Sequence, residues 1–341
     1  MNNLAIDEFG FNIGNMKKGK NNCITDVKGV TVGHYTIKEE DINTGITAIL
    51  PHEGNIFKEK VQAASYVING FGKTTGLIQL DELGTIETPI VLTNTLSVGS
   101  AFQGVIKYML EENEDIGFST GTVNPIICEC NDGYLNNIRK NVITEELVYK
   151  TIKSTDKEFL QGAVGAGTGM CCLGLKGGIG SSSRIININN VEYTLGVLVL
   201  SNFGIGENLT IQGKPFGDTL KNSYPREDKG SIIVIFATDL PLNNRQLKRV
   251  CKRANIGLVR TGSYLGNGSG DIVIGFSTEN KVKHYEKDHI LQGKYLNENY
   301  IDTVFKAMGE ATEESILNAL INAETTVGFL KRKKLGLRDI L

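Results

Sequence analysis

Tryptophan is absent from the 341-residue chain, there are only 6 prolines and 4 histidines, and neither sign of charge prevails, with 36 Lys and Arg against 38 Asp and Glu. Balanced charge excludes the broad field that draws a protein to nucleic acid or to an anionic membrane, so neither is expected as a partner. No run of about 18 apolar residues exists to cross a bilayer, and the opening MNNLAIDEFG lacks the basic start and apolar centre of a signal peptide. A cytoplasmic location is expected. The histidines (His34, His52, His284, His289) are scattered, and the cysteines (Cys23, Cys128, Cys130, Cys171, Cys172, Cys251) form no paired CxxC units, which argues against a metal site or a disulfide framework.

Glycine is abundant instead, at 40 residues with no collagen period, which points to tight turns and close backbone approaches inside a folded protein. The 40% hydrophobic content supports a large core, and no linker or break in composition divides residues 1–341, so a single domain of mixed α/β layers is expected.

The strongest local signal is KGSIIVIFATD, Lys229–Asp239. Ser231 to Ala237 form a continuous apolar run, the pattern of a strand buried on both faces, and Ser231 is its first residue. The preceding SYPREDKG, Ser223–Gly230, reads as a mobile, solvated loop. Elsewhere, residues 23–50 read as short strands joined by turns, and Phe57, Val61, Ala64 and Ile68 have helical spacing. Pro89–Asn94 is a strand running into a helix capped by Ser97, and Ser183–Asn202 is a hairpin turning near Asn189-Asn190. A helix is expected to start at Asp239-Leu240-Pro241 and present Leu247, Val250, Cys251 and Ala254. Leu258–Asn280 is a glycine-rich loop between strands, and Val304 to Leu320 carry a long helical pattern. The basic Lys331–Lys334 run reads as solvated tail. GAVGAGTGM, residues 162–170, has neither phosphate-loop nor GxGxxG spacing, so its glycines indicate close packing.

A hydroxyl residue directly after glycine, at the seam between a charged loop and a buried strand, is what self-cleavage to a serine N-terminus requires. Glycine tolerates strained backbone angles that let the next hydroxyl reach the carbonyl carbon upstream of it. An N-to-O acyl shift between Gly230 and Ser231, then hydrolysis, would free an α-amine that titrates near pH ~7.7–8.0 and can serve as base to its own hydroxyl. Glu129, Asn131, Asp132 and Tyr134 form a polar cluster at the end of a buried strand, Asn202 closes another strand, and Ser263, Asn267, Ser269 and Asp271 line the glycine-rich loop. Turn chemistry explains such clusters as well as a site does.

Eight segments in order resemble the family of L-aminopeptidase/D-esterases and β-peptidyl aminopeptidases, the DmpA-like N-terminal-nucleophile serine peptidases. They are ITDVKGVTVGH (24–34), TGITAILPH (44–52), TNTLSVG (93–99), ECNDGYLN (129–136), GAVGAGTGM (162–170), SNFG (201–204), KGSIIVIFATDLPL (229–242) and NGSGDI (267–272). The resemblance implies a four-layer αββα sandwich of the DmpA/ornithine acetyltransferase type. It also implies self-cleavage into an α chain 1–230 and a β chain 231–341, and a homotetramer needing no metal or organic cofactor. The implied substrates are short peptides, amides or esters with a free N-terminal amine.

By the same resemblance Ser231 is the nucleophile and Asn202 the oxyanion donor. Tyr134 stands near the scissile bond, and Ser269 and Asp271 orient the nucleophile's amine. The substrate ammonium needs an anion, for which Glu129 is the first candidate and Asp132 the second. Two alternatives stay open. One is an acyltransferase of the ornithine acetyltransferase type, although those enzymes use threonine. The other is an uncleaved homologue without catalysis.

Overall fold

The apolar run that begins at Ser231 forms an inner strand of the larger of two stacked sheets. The computed structural model describes residues 3–220 and 227–341. In chain order the main strands are β1 (Thr31–Glu39), β2 (Ile42–Leu50), β3 (Glu59–Gly70), β4 (Thr85–Ile86), β5 (Ile90–Asn94), β6 (Ile126–Cys130), β7 (Gly178–Ile188), β8 (Val191–Asn202), β9 (Ser231–Thr238) and β10 (Gly270–Lys283). The α-helices are α1 (Leu77–Leu83), α2 (Val98–Glu112), α3 (Glu145–Lys153), α4 (Asn244–Cys251), α5 (Ala254–Arg260) and α6 (Ile301–Asn322). One sheet has the order β1-β2-β5-β6 and the other β4-β3-β10-β9-β8-β7. Strand β9 runs antiparallel to β8 and parallel to β10.

Successive side chains of a strand point to opposite faces, so a strand that is apolar throughout must be covered on both. Ile232, Val234 and Phe236 of β9 pack with Val250, Leu258, Ala307 and Ala311 of the helices on one side. Ile233, Ile235 and Ala237 pack with Ile46, Val91 and Ile127 of the smaller sheet on the other. Helices α2 and α3 cover the outer face of that smaller sheet, and α4 and α6 the outer face of the larger one. The result is the expected α/β four-layer αββα sandwich.

Several local expectations are corrected. The segment of Phe57, Val61, Ala64 and Ile68, expected as an amphipathic helix, lies mostly in strand β3, which is paired with β10 on one side and β4 on the other. The spacing of Val61, Ala64 and Ile68 fits a helix, but two ladders of hydrogen bonds outweigh a weak local preference. Ser97 stands at the N-cap of α2, but its hydroxyl makes no capping bond. The capping bonds belong to the 3-10 turn Thr95–Ser97 that leads into the helix, where Asn94 Oδ1 accepts from the N–H groups of Leu96 and Ser97 at 3.1 Å each. Helix α4 starts at Asn244, beyond the expected Asp239-Leu240-Pro241, because Asn243 and Gln246 cap each other reciprocally. Leu258–Arg260 end α5, so the glycine-rich loop is residues 261–269.

Of the loop before Ser231, residues 223–226 lie outside the described residues. Asp228 is buried, not solvated, and accepts from the N–H of Gly204 at 2.9 Å and of Gly266 at 3.2 Å. The Lys331–Lys334 run is not a free tail. Lys333-Lys334 pair with Thr326-Val327, and Lys334 is buried with its Nζ donating to the Gly174 carbonyl at 2.9 Å.

The hairpin β7–β8 turns at Asn189 and Asn190 with φ of 53° and 62°, as a tight turn of this hand requires. The glycines of 162–170 pack closely, as expected: a Cβ on Gly167 would lie 2.5 Å from the Ile179 nitrogen.

Candidate active site

Strand register builds the site. Asn202, the last residue of β8, lies opposite Ser231. Ser231 lies opposite Gly270 of β10, between Ser269 and Asp271. Three strands from distant parts of the chain therefore bring Asn202, Ser231 and the Ser269–Asp271 segment together at one end of the inner strands of the larger sheet.

Ser231 is 6% exposed and its Oγ lies 2.7 Å from the carbonyl oxygen of Gly230, on its own upstream peptide bond. The Gly270 N–H donates to the same oxygen at 3.2 Å. Glycine is needed at 230 for space and not, as expected, for its backbone angle, since it has no left-handed φ. A Cβ there would lie 2.0 Å from the Asn202 oxygen and 2.6 Å from the Phe203 Cα. Asp228, two residues upstream, ties this segment to the loops on either side of it.

Asn202 is held in one orientation: its Oδ1 accepts from the Cys171 N–H at 2.9 Å and its Nδ2 donates to the Asn131 carbonyl at 3.0 Å. A side-chain amide nitrogen carries two hydrogens, so the second N–H remains for an oxygen in the adjoining space. Ser269 Oγ donates to Asp271 Oδ1 at 2.5 Å, and Asn69 Nδ2 donates to Asp271 Oδ2 at 3.1 Å. Burial raises the Asp271 pKa above the usual carboxylate range. The hydrogen bonds from Ser269 and Asn69 oppose that rise, and Asp228 adds to it. Asn69 is directly opposite Asp271 in the β3–β10 ladder and was missed in the sequence, where it is one polar residue at the end of a strand.

Glu129 ends up buried on β6, with Oε1 accepting from the Lys73 N–H at 2.8 Å and Oε2 from the Thr95 hydroxyl. A Cβ built on Gly72 would lie 3.5 Å from Glu129 Oε1 and 3.8 Å from the Gly270 Cα, which puts this carboxylate on the β10 side of Ser231. Asp132 is fully enclosed and bonded to the Thr44 hydroxyl at 2.6 Å and Asn136 Nδ2 at 3.0 Å. Burial pushes its pKa up to about 7. It supports the turn that carries Asn131 and Tyr134, and neither it nor Glu129 lines the cleft described next.

On the other side a cleft of about 380 Å³ opens, lined in part by Tyr134, Cys171, Asn202, Gly230 and Arg332. The Arg332 guanidinium is 5.0 Å from the centre of the Tyr134 ring and the Lys334 ammonium 5.2 Å. Sequence reading placed both cations in a solvated tail, because nothing local reveals that the C-terminal ladder folds them back.

The model of peptidase family S58 matches residues 22–334. The chain belongs to this family. The S58 chain is 35% identical over 338 residues to the β-peptidyl aminopeptidase BapA of Sphingosinicella microcystinivorans, covering 92% of this chain and 84% of that one. Among solved structures it is similar to a Pyrococcus horikoshii protein (55% identity, TM-score 0.94, 98% of this chain and 96% of that one). It is also similar to the L-aminopeptidase D-Ala-esterase/amidase of Ochrobactrum anthropi, described as a prototype of the serine aminopeptidases and a variant of the Ntn hydrolase fold (34% identity, TM-score 0.91, 98% and 95%). This S58 protein is thus an aminopeptidase-family enzyme with an Ntn hydrolase fold.

Proposed function

We propose that this peptidase matures by cutting itself between Gly230 and Ser231 and then works as a serine aminopeptidase on short peptides, amides or esters with a free N-terminal amine. The observation that carries the reading is the Ser231 hydroxyl 2.7 Å from the oxygen of its own upstream carbonyl, at a strand end shared with Asn202, Ser269 and Asp271. In maturation Oγ adds to the Gly230 carbon while the Gly270 N–H holds the oxygen. The Gly230–Ser231 C–N bond breaks, leaving an ester on Oγ and a free α-amine. Water then hydrolyses the ester, giving a Gly230 carboxylate and chains 1–230 and 231–341.

In turnover the neutral amine of Ser231 takes the hydroxyl proton and Oγ attacks the substrate carbonyl. The Asn202 Nδ2 donates to the developing oxyanion, the ammonium of Ser231 returns its proton to the departing amine or alcohol as the scissile bond breaks, and water then hydrolyses the acyl ester on Oγ. Ser269 and Asp271 hold the amine in line, and Tyr134 borders the leaving group. Glu129 receives the substrate ammonium. The names of the relatives, a β-peptidyl aminopeptidase and an L-aminopeptidase D-Ala-esterase/amidase, support this substrate class. A homotetramer is part of the same reading, and the nearly full exposure of Ile78 and Phe118, at 91% and 92%, gives subunits apolar surface to bury.

Intact mass of the purified protein is the test. Two fragments meeting at residue 231, and a single full-length species for Ser231→Ala with no peptide turnover, are expected. Peptide turnover by the alanine variant equal to the parent would overturn the assignment. Activity is expected to rise with pH through ~7.7–8.0 as the α-amine deprotonates.

A further inference from the structure

The cleft beside Gly230 is positively charged. Among the described residues no Asp or Glu lines it, whereas Lys229 and Arg332 do. Lys229 is exposed and paired with Glu227 at 2.5 Å. Arg332 is different: it is half-buried, and its Nη1 donates only to the backbone carbonyls of Gly133 at 3.5 Å and Tyr134 at 3.3 Å. A guanidinium carries five N–H donors in a rigid fork suited to a carboxylate, and among the described residues this one's hydrogen bonds go to those two carbonyls and to no carboxylate. The Tyr134 ring and the two carbonyls fix its position without neutralising its charge. The acids of the site, Glu129 and Asp271, lie on the β10 side of Ser231. The charge across the candidate site therefore runs from negative on one side of the nucleophile to positive on the other.

We infer that Arg332 forms a carboxylate-binding subsite on the leaving-group side, so that the preferred substrates are peptides whose free C-terminus falls within this cleft, dipeptides foremost. The inference rests on the serine aminopeptidase reading above. A dipeptide laid with its ammonium toward Glu129 presents its carboxylate to Arg332. A C-terminal amide in the same place offers the guanidinium a neutral oxygen in place of an anion, and the charge-assisted hydrogen bonds are lost.

The test measures kcat/KM for one dipeptide and for its C-terminal amide, with the self-processed protein and with Arg332→Gln and Arg332→Lys. The parent is expected to favour the free acid by about tenfold or more, the size of one hydrogen bond to a charged group. Arg332→Gln should bring the ratio of the two close to one, and Arg332→Lys should keep part of the preference. Equal rates for acid and amide in the parent would overturn the inference. So would an Arg332→Gln variant that loses rate on both substrates in the same proportion, since that marks a guanidinium serving only to hold Tyr134. Equal parental rates together with separation of the two chains in Arg332→Gln would place the guanidinium on the Gly230 carboxylate instead, and would also overturn it. Failure of the serine peptidase reading has its own signature, the absence of turnover of either compound by the parent. Calorimetric binding of acid and amide then decides the subsite: an Arg332-dependent preference for the acid supports it, and equal affinities overturn it.

Discussion

The two ends of strand β9 are built from the same three strands and both carry hydroxyls, yet those hydroxyls find different partners. At the far end Thr238 Oγ1 donates to the Thr194 carbonyl at 2.7 Å, and Ser277 Oγ, its neighbour on β10, donates to the Leu240 carbonyl at 2.6 Å. Each hydroxyl there closes a gap between separate segments. At the near end the Ser231 hydroxyl turns to the peptide bond that precedes it, and Ser269 turns to a carboxylate. A hydroxyl bonded to a carbonyl is therefore not in itself a sign of reactivity. What separates the ends is which carbonyl the hydroxyl meets, and the convergence at the near end of strands that carry an amide, Asn202, and a buried acid, Asp271.

The largest effect is expected where that convergence leaves no spare volume. Gly230→Ala would force a Cβ to within 2.0 Å of the Asn202 oxygen, so the scissile carbonyl must leave its place beside Ser231 Oγ. Intact mass after prolonged incubation should show mostly uncut chain, with stability lowered by roughly 1–3 kcal/mol from the overpacking. Thr238→Ala at the opposite end removes one hydrogen bond, worth about 1 kcal/mol, and should leave scission complete. Comparable scission in Gly230→Ala and the parent would erase the difference between the ends. Next in size is Asn202→Ala, which removes the side-chain donor while keeping the strand. It should lower kcat by roughly 10²–10³, as loss of one oxyanion donor does elsewhere. Stopped assays on fully processed protein separate this from any delay in maturation.

How much of this was readable beforehand follows from where the information lies. The Ser231 strand was legible because six consecutive apolar residues, Ile232 to Ala237, leave it no exposed face, and the β7–β8 hairpin because two asparagines can both take positive φ. The αββα layering came through the eight ordered segments, not through any one pattern. Strand β3 was misread because Val61, Ala64 and Ile68 satisfy helical spacing by coincidence, and the longer of its two ladders, with β10, comes from residues about 200 positions away. Asn69, Asp228 and Arg332 escaped for the same reason. Each is an ordinary polar or charged residue until the fold brings it to Asp271, to the loops beside Gly230, or to Tyr134.

The smallest expected effect concerns two acids, one at each end. Burial raises the pKa of both Asp271 and Asp239, and at Asp239 the Thr194 N–H, donating at 2.6 Å, opposes the rise. A carboxyl whose pKa is higher in the folded state binds its proton more tightly there. Its contribution to stability is full below the unfolded pKa and is lost as pH rises through the folded one. Both acids therefore favour folding at mildly acidic pH, and their replacement by asparagine should flatten the fall in stability with rising pH. The difference should appear in chemistry: Asp239→Asn matures and turns over normally, whereas Asp271→Asn, which removes the charge beside Ser269, shifts the pH profile of peptide turnover. Denaturant midpoints measured across pH, set beside rate profiles for the same two variants, check this. Identical rate profiles would mean that the two acids differ only in address, and that Asp271 has no part in holding the amine of Ser231.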